Sequence, residues 1–333
     1  MKKIIGLSCG RKNESSEMFL KAAAQGAAEL GVETEIIRAM SLKIQPCTGC
    51  WSCRKTGKCA QKDDTDWILE KTCVEDCALI VSVPCYHIRS NSYLSIIAEK
   101  MNHVFEKNMN ILKKTRVGAM IGVGGSGYDA WTSLNLPTAN LFLQHTRVLV
   151  DQMQVNFCAL QEWNLWLQDK HMTAEHINES RIQDYTHEEI YQRWPQKYDL
   201  LQFQEKAIER ARQLGRNVAQ AMSQPIEEVK YAGEDYGVAC PVCHSNVVVV
   251  PKDLPYIACP VCYVRGTIHM DNGKMTVKWN QEDATHPRFS YEAVEHHGRW
   301  LMTHYGGGAP DQRFMQRKKQ FESYGKIIAP EKQ

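Results

Sequence analysis

Five short apolar runs alternate with helix-period segments through the first 155 residues, and few folds accept that pattern. Lys3 to Leu7, Val32 to Arg38, Ala78 to Val83, Arg116 to Val123 and Arg147 to Val155 read as strands. Ser15 to Leu30, Asp64 to Thr72, Ser92 to Phe105 and Tyr128 to His145 read as helices between them. The first of these sets Met18, Phe19, Ala22, Ala23, Ala27 and Leu30 at helical spacing, and Gly31 ends it where a left-handed residue is wanted. The strands are almost continuously apolar, so both faces of their sheet must be covered. The expected fold is therefore α/β, a doubly wound five-stranded parallel sheet with helices on both sides.

The period changes further along. Residues 157–198 are polar and rich in tryptophan (Trp163, Trp166, Trp194), and they read as an insertion or lid. An amphipathic helix from Tyr198 to Met222 would complete a first domain, 1–222. Ser223 to Pro225 interrupts the chain, 223–283 has the short strands and paired cysteines of a small metal-stapled module, and 284–333 forms a C-terminal extension. In that extension His296, His297 and His304 with Trp300 could close as a lid, or could be a half-exposed helix face.

Composition narrows the function classes. Forty Lys and Arg against 38 Asp and Glu leave a formal charge of +2, too small a field to gather nucleic acid or anionic lipid. No apolar run approaches the roughly 20 residues of a spanning helix. Cysteine stands out at thirteen, an odd number with no export signal before it. Disulfides are a poor explanation, and metal or redox chemistry in a reducing, cytoplasmic setting is a good one.

Eight of those cysteines fall into two tight groups. Cys47, Cys50, Cys53 and Cys59 follow the second strand as C-x2-C-x2-C-x5-C. Three cysteines at x2 spacing suit an iron–sulfur cube better than one tetrahedral ion, although a lone zinc or bare thiols remain alternatives. Cys240-Pro-Val-Cys243 and Cys259-Pro-Val-Cys262 are two knuckles of the kind that bind a single ion. Structural zinc is the expectation there and a rubredoxin-like iron its rival, since Gly follows neither knuckle. Cys73, Cys77 and Cys158 read as small buried hydrophobes. Cys9 and Cys85 end the first and third strands, on the edge where ligands bind in such sheets.

Three loops share that edge. Ser8-Cys9-Gly10-Arg11-Lys12-Asn13-Glu14-Ser15-Ser16 joins strand to helix and is rich in hydroxyls, which suits a phosphate at a helix N-terminus; an ordinary helix cap is the alternative. Pro84-Cys85-Tyr86-His87-Ile88 follows the third strand, and the glycine-rich Gly122 to Tyr128 segment follows the fourth. Together the three suit one flat, phosphorylated ligand.

With those loops in place, residues 1–222 resemble the NADPH-dependent FMN reductase branch of the flavodoxin-like fold, and more narrowly the iron-sulfur flavoproteins. The first loop is similar to that family's Gly-Ser-Pro-Arg-Lys-Asn-Gly-Asn-Thr segment, with Cys9 in place of its serine. The resemblance implies that Cys9, Arg11, Asn13, Ser15 and Ser16 surround the FMN phosphate. It implies that Pro84, Cys85, Tyr86, His87 and Ile88 border the flavin ring. Here the chain departs from the family's Pro-Val-Tyr-Phe-Gly at Cys85, His87 and Ile88. Gly124, Gly125, Ser126, Gly127 and Tyr128 match the third flavin loop. The compact cysteine motif would hold a [4Fe–4S] cluster, and a homodimer or homotetramer is implied. The 223–283 module resembles a rubredoxin-like zinc ribbon through its two knuckles alone.

The resulting expectation is an FMN-dependent oxidoreductase linking a one-electron carrier such as ferredoxin to a two-electron, small-molecule acceptor. His87, beside the expected ring, is a candidate proton donor, with Tyr86 and Cys85 as its catalytic neighbours; His87 could instead merely pack there. The rivals are an NAD(P)H-dependent FMN or quinone reductase without a cluster, and a regulatory flavoprotein whose ribbon contacts a partner.

Overall fold

The computed structural model describes residues 3–124, 132–156, 200–235, 238–304 and 312–321. The expected insertion at 157–198, Cys158 and the loop residues Gly125, Ser126, Gly127 and Tyr128 lie outside them. The chain forms two compact units, Met1–Tyr291 and Glu292–Gln333.

The first unit carries β1 (Lys3–Ser8), β2 (Glu33–Arg38), β3 (Ala78–Tyr86), β4 (Arg89–Ser90), β5 (Val117–Gly124) and β6 (Val148–Asn156). Five of these pair in parallel in the order β2-β1-β3-β5-β6, while the two-residue β4 folds back antiparallel on the end of β3. Without β4 this is the flavodoxin-like order 2-1-3-4-5, whose switch point between β1 and β3 opens a crevice at the carboxyl edge. The burial of β3 and β5 shows why the alternating pattern is missing from the sequence. Ala78 to Pro84 and all of Val117–Gly124 are buried, because helices cover both faces.

The helices of this unit are α1 (Ser15–Ala28), α2 (Ser52–Thr56), α3 (Thr65–Leu69), α4 (Ser92–Glu99), α5 (Asn102–Lys107), α6 (Asn135–Leu143) and α7 (Leu200–Ala221). On one face α1 and α7 pack together over the sheet through Phe19, Ala23 and Ala27 against Ala207, Ala211, Leu214 and Val218. Two glycines let these helices touch. A Cβ on Gly26 would lie 2.0 Å from the Arg212 carbonyl oxygen, and one on Gly215 would lie 1.8 Å from that of Ala23. Arg210 and Asn217 of α7 also reach Asp151, which is fully buried on β6, and fasten the helix to the sheet.

Two expected helices are interrupted. The segment Ser92 to Phe105 is broken into α4 and α5, and the break falls where the Lys100 ammonium turns inward to a buried pair with Asp63. The segment Asp64 to Thr72 runs as α3 into a π-helical turn, Glu70–Val74, where the Thr72 hydroxyl donates back to the Ile68 carbonyl at 2.7 Å.

Beyond α7, β7 (Ile257–Ala258), β8 (Arg265–Asp271) and β9 (Lys274–Trp279) make a three-stranded antiparallel sheet. This ribbon belongs to the first unit and leans on its α6–β6 edge. Gln152 Nε2 donates to the His244 carbonyl at 3.1 Å, Asn140 Nδ2 reaches that of Cys243 at 3.4 Å, and Leu141 packs against the thiol core. The second unit holds most of one helix, Tyr291–His304, and the helix Gln312–Phe321. On the former, exposed His297 stacks on Trp300 with ring centres 5.9 Å apart. No helix among the described residues is long and apolar enough to cross a membrane.

Candidate functional site

The parallel sheet brings the three loops to one edge. After β1, Cys9 is entirely buried, its N–H donates to the Ser82 carbonyl at 2.9 Å, and its own carbonyl accepts from Asn91 Nδ2 at 2.6 Å. Burial pushes its thiol up to about 12, so it is neutral, and with both backbone groups already bonded it braces the loop from within. Gly10 is a close-approach position, since a Cβ there would sit 2.7 Å from that of Ser16. Arg11, Lys12, Asn13 and Glu14 are exposed, Ser15 is half-buried and Ser16 is buried. Asn13 takes a left-handed φ of 59°.

Helix α1 begins without a side-chain cap at Glu14. Its first intrahelical bond runs from Met18 N–H to the Glu14 carbonyl at 2.9 Å, so the amides of Ser15, Ser16 and Glu17 stand outside the helix's own ladder. Amides of this kind, beside hydroxyls and an exposed guanidinium, fit the phosphate of a flavin mononucleotide. Arg11 is otherwise held only loosely, 3.7 Å from Glu14 with both side chains exposed.

After β3, the pairing of Cys85 with Ser90 and of Tyr86 with Arg89 makes a two-residue hairpin whose tip is His87-Ile88. Both tip residues have positive φ, 54° and 75°. Asn, Asp and Gly are the usual occupants of such a turn, and a β-branched residue there is strained. The turn is held from outside: the Leu134 N–H donates to the Ile88 carbonyl at 3.2 Å, and Asn91 N–H to that of Pro84 at 3.1 Å. Tyr86 and His87 face solvent, whereas half-buried Cys85 has its thiol raised to about 11 by burial. After β5, a Cβ on Gly124 would lie 2.3 Å from Thr132 Cγ2 and 3.3 Å from Cys85 Cβ, so the second and third loops meet there. Gln154 of β6 accepts from Asn135 Nδ2 at 3.0 Å beneath them.

The cysteine loop leaves β2, the neighbour of β1, at the same edge. Its base is clamped by Asp63, which accepts from Gln45 N–H at 2.8 Å and Thr65 N–H at 3.0 Å and pairs with Lys100, both charged side chains being 1% exposed. Burial opposes the Asp63 carboxylate, but Lys100 and the two amides outweigh it and hold its pKa low. Gly49, Trp51 and Gly57 take left-handed φ of 64°, 59° and 66°, and so curl the loop. Cys47 and Cys50 are exposed, and Cys53 and Cys59 are half-buried. Burial raises the Cys53 thiol, and the nearby Cys59 and Cys47 raise it further; hydrogen bonds from the Ser52 amide and Thr48 hydroxyl lower that of Cys50. Four soft donors on one curled loop fit a compact cluster.

The second cysteine set is different in kind. Cys240, Cys243, Cys259 and Cys262 are buried with their sulfurs all within 4.8 Å of one another, the one such group of His, Cys and acidic residues among the described residues. A tetrahedral ion with metal–sulfur bonds of about 2.3 Å needs sulfurs about 3.8 Å apart. Each knuckle closes in the same way. His244 N–H donates to the Cys240 carbonyl and Tyr263 N–H to that of Cys259, both at 2.9 Å. His244 and Tyr263 have φ of 54° and 58°, so the position after each knuckle is left-handed although neither residue is glycine. Hydrogen bonds from Cys240, Cys243 and Cys262 hold the Cys259 sulfur far below the usual thiol range.

Some participants were invisible in the sequence. Asn91 braces Cys9, Asn135 pairs with Gln154, and Glu17 with Arg38 underlies the first loop across 21 positions. Cys73 and Cys77 are 1% and 3% exposed, as expected of core thiols.

Comparison with known proteins follows the same division of the chain. Residues 2–157 match the family model for NADPH-dependent FMN reductases. An iron-sulfur flavoprotein of Methanocaldococcus jannaschii is 28% identical over 149 residues, 44% of this chain and 75% of the relative. Another, from Methanosarcina thermophila, is 34% identical over 125 residues, 37% of this chain and 64% of the relative. Among solved structures, a flavone reductase superposes with a TM-score of 0.66 at 22% identity, covering 99% of this chain and 100% of its own. The fold likeness thus extends beyond the family match, which is confined to the N-terminal part of the chain. Through residues 2–157, then, this chain is similar to the NADPH-dependent FMN reductases and, over shorter spans, to iron-sulfur flavoproteins.

Proposed function

We propose that this protein exchanges electrons between a one-electron carrier of the ferredoxin class and a two-electron organic acceptor. The residues to hold the two redox groups are the strand-end loops for FMN and Cys47, Cys50, Cys53 and Cys59 for a [4Fe–4S] cluster. The observation that carries this reading is topological. β1 and β2 are parallel neighbours, so the phosphate-type turn and the cysteine loop leave the same edge side by side. FMN when bound supplies hydride or single-electron chemistry, and a cluster supplies one electron at a time.

The chain's own residues then have separate tasks. Arg11, Asn13, Ser15 and Ser16 bind the phosphate with the first amides of α1. Pro84 to Ile88 and Gly124 to Tyr128 border the ring and limit water there. His87 sits exposed at the turn tip, where its imidazole can hand a proton to the acceptor. Tyr86 offers an exposed aromatic face beside it, and neutral Cys85 fills the gap to Gly124. A flat conjugated carbonyl is the acceptor class to test first, because the flavone reductase shares the architecture and its name points to one. The four buried thiols of the ribbon are assigned to structural zinc, with a single iron as rival. We further assign a cytoplasmic homodimer or homotetramer, with NAD(P)H as an alternative electron source.

Anaerobic purification followed by iron, acid-labile sulfide, zinc and flavin analysis tests this. About four irons with matching sulfide beside one FMN are expected. FMN without that iron leaves the plain NAD(P)H-dependent FMN or quinone reductase. Replacement of His87 by Gln should slow turnover of the organic acceptor while flavin reduction continues; unchanged turnover removes its catalytic role.

A further inference from the structure

A buried carboxylate lies directly beneath the phosphate-type loop. Glu17, in the first turn of α1, is 0% exposed, and its four hydrogen-bonding positions are all filled. Oε2 accepts from Arg38 Nε at 2.9 Å and from the Asn13 N–H at 3.3 Å. Oε1 accepts from Arg38 Nη2 at 2.8 Å and pairs with Lys21 Nζ at 2.6 Å. Lys21 Nζ also reaches the Asn13 side-chain oxygen at 3.4 Å. Asn13 is the residue held in the left-handed region, at φ 59°. The loop conformation is therefore secured from below, by a carboxylate gripping its amide and a lysine gripping its side chain.

The charge arrangement is unusual for an anion site. A carboxylate in the first turn of a helix is favoured by the helix dipole, yet it sits where a phosphate would also be drawn, and two anions repel. Two cations resolve that conflict. Arg38 binds both carboxylate oxygens side-on, Lys21 binds one, and burial is outweighed, so the carboxyl pKa is held at about 2. Arg38 closes β2, so the same clamp joins the first loop to the strand that leads into the cysteine loop.

We infer that Glu17 is a positioning residue for flavin phosphate binding, fixing the 10–16 loop in its binding shape through Asn13 while Arg38 and Lys21 cancel its charge. The inference rests on the phosphate-loop reading above and goes beyond it, because it assigns binding strength to an anion that simple electrostatics would make harmful.

The test compares FMN with riboflavin, which lacks the phosphate, by titrating the flavin-depleted full chain. In Glu17→Gln the shape is kept, but the new amide group turns donors toward Arg38 and either Lys21 or the Asn13 N–H, so one of the loop's two anchors is lost in either orientation. FMN should bind at least about tenfold more weakly while riboflavin affinity stays nearly unchanged, and the melting temperature should fall because a buried, fully paired carboxylate is lost. Unchanged or tighter FMN binding overturns the inference, since loss of a negative charge alone predicts that result. Equal weakening of FMN and riboflavin also overturns it, as general damage. Arg38→Gln should reproduce the selective loss, and an unaltered FMN preference in that variant overturns the role given to Arg38. The underlying reading is checked separately with Arg11→Ala combined with Ser16→Ala. If that variant keeps the full preference for FMN over riboflavin, the phosphate lies elsewhere; if it loses the preference while Glu17→Gln keeps it, only the positioning role falls.

Discussion

The two four-cysteine sets share a residue type and differ in almost everything else. In the ribbon the thiols are buried, gathered within 4.8 Å, and flanked by paired knuckle hydrogen bonds. In the loop after β2 they are exposed or half-buried and strung along thirteen residues. The contrast follows from what each set must do for folding. The ribbon's core consists of its thiols and a few residues such as Val261, Val264, Trp279 and Phe289, so without convergent sulfurs there is little to bury. The loop set hangs from a completed sheet and is positioned by Asp63 and Lys100, which are themselves buried. One set is part of a fold, and the other is presented by one.

The sharpest way to break this comparison is to damage each set in turn. Thiolate sites that fold small modules contribute on the order of 10 kcal/mol. Cys259→Ala, or chelation, should therefore abolish hydrogen-exchange protection across β7, β8 and β9 while β1 to β6 keep theirs. Retained protection in the ribbon would erase the distinction.

A smaller effect is expected from the scaffold of the other set. Asp63→Asn leaves the Lys100 ammonium buried without its partner and should cost about 3–5 kcal/mol in urea unfolding, with loss of bound iron. The pH dependence follows the lowered Asp63 pKa. Its contribution is complete above the ordinary value of 3.8 and is lost as the pH falls through the lower folded-state value. A midpoint that begins to drop well above pH 3.8 on account of this residue would contradict that assignment.

Docking of the ribbon should matter less. Gln152→Ala removes the side chain that reaches the His244 and Cys243 carbonyls and should cost about 1–2 kcal/mol, read as a lower melting temperature with zinc or iron still bound. Least of all, Cys50→Ser at an exposed position should change stability by no more than about 0.5 kcal/mol. The same variant should lose iron and acid-labile sulfide. A large stability loss there would mean that the loop set also builds the fold.

Legibility in the sequence followed the range of the interactions. The strands were readable because a strand covered on both faces carries its burial in its own composition, as Val117 to Gly124 does. Helix continuity was less so: the stripe from Ser92 to Phe105 suggests one helix, but Lys100 finds its partner 37 positions away and the helix parts there. The left-handed turn at His87-Ile88 was hidden for a similar reason. Ile88 is β-branched and disfavours positive φ, and the conformation is imposed by β4 pairing and by Leu134. His244 and Tyr263 repeat the lesson at the knuckles, where absent glycines concealed a left-handed position.

The sequence by itself determined the parallel α/β sheet, the edge at which its loops gather, and the division of eight cysteines into two sets, because these depend on local periodicity and spacing. Tertiary structure alone decided which set converges, how closely α1 and α7 approach at Gly26 and Gly215, and that Glu17 would be buried between Arg38 and the first loop. A carboxylate's partners, unlike a strand's hydrophobicity, are chosen by which residues the fold brings into the same dry volume, and no pattern along the chain records that choice.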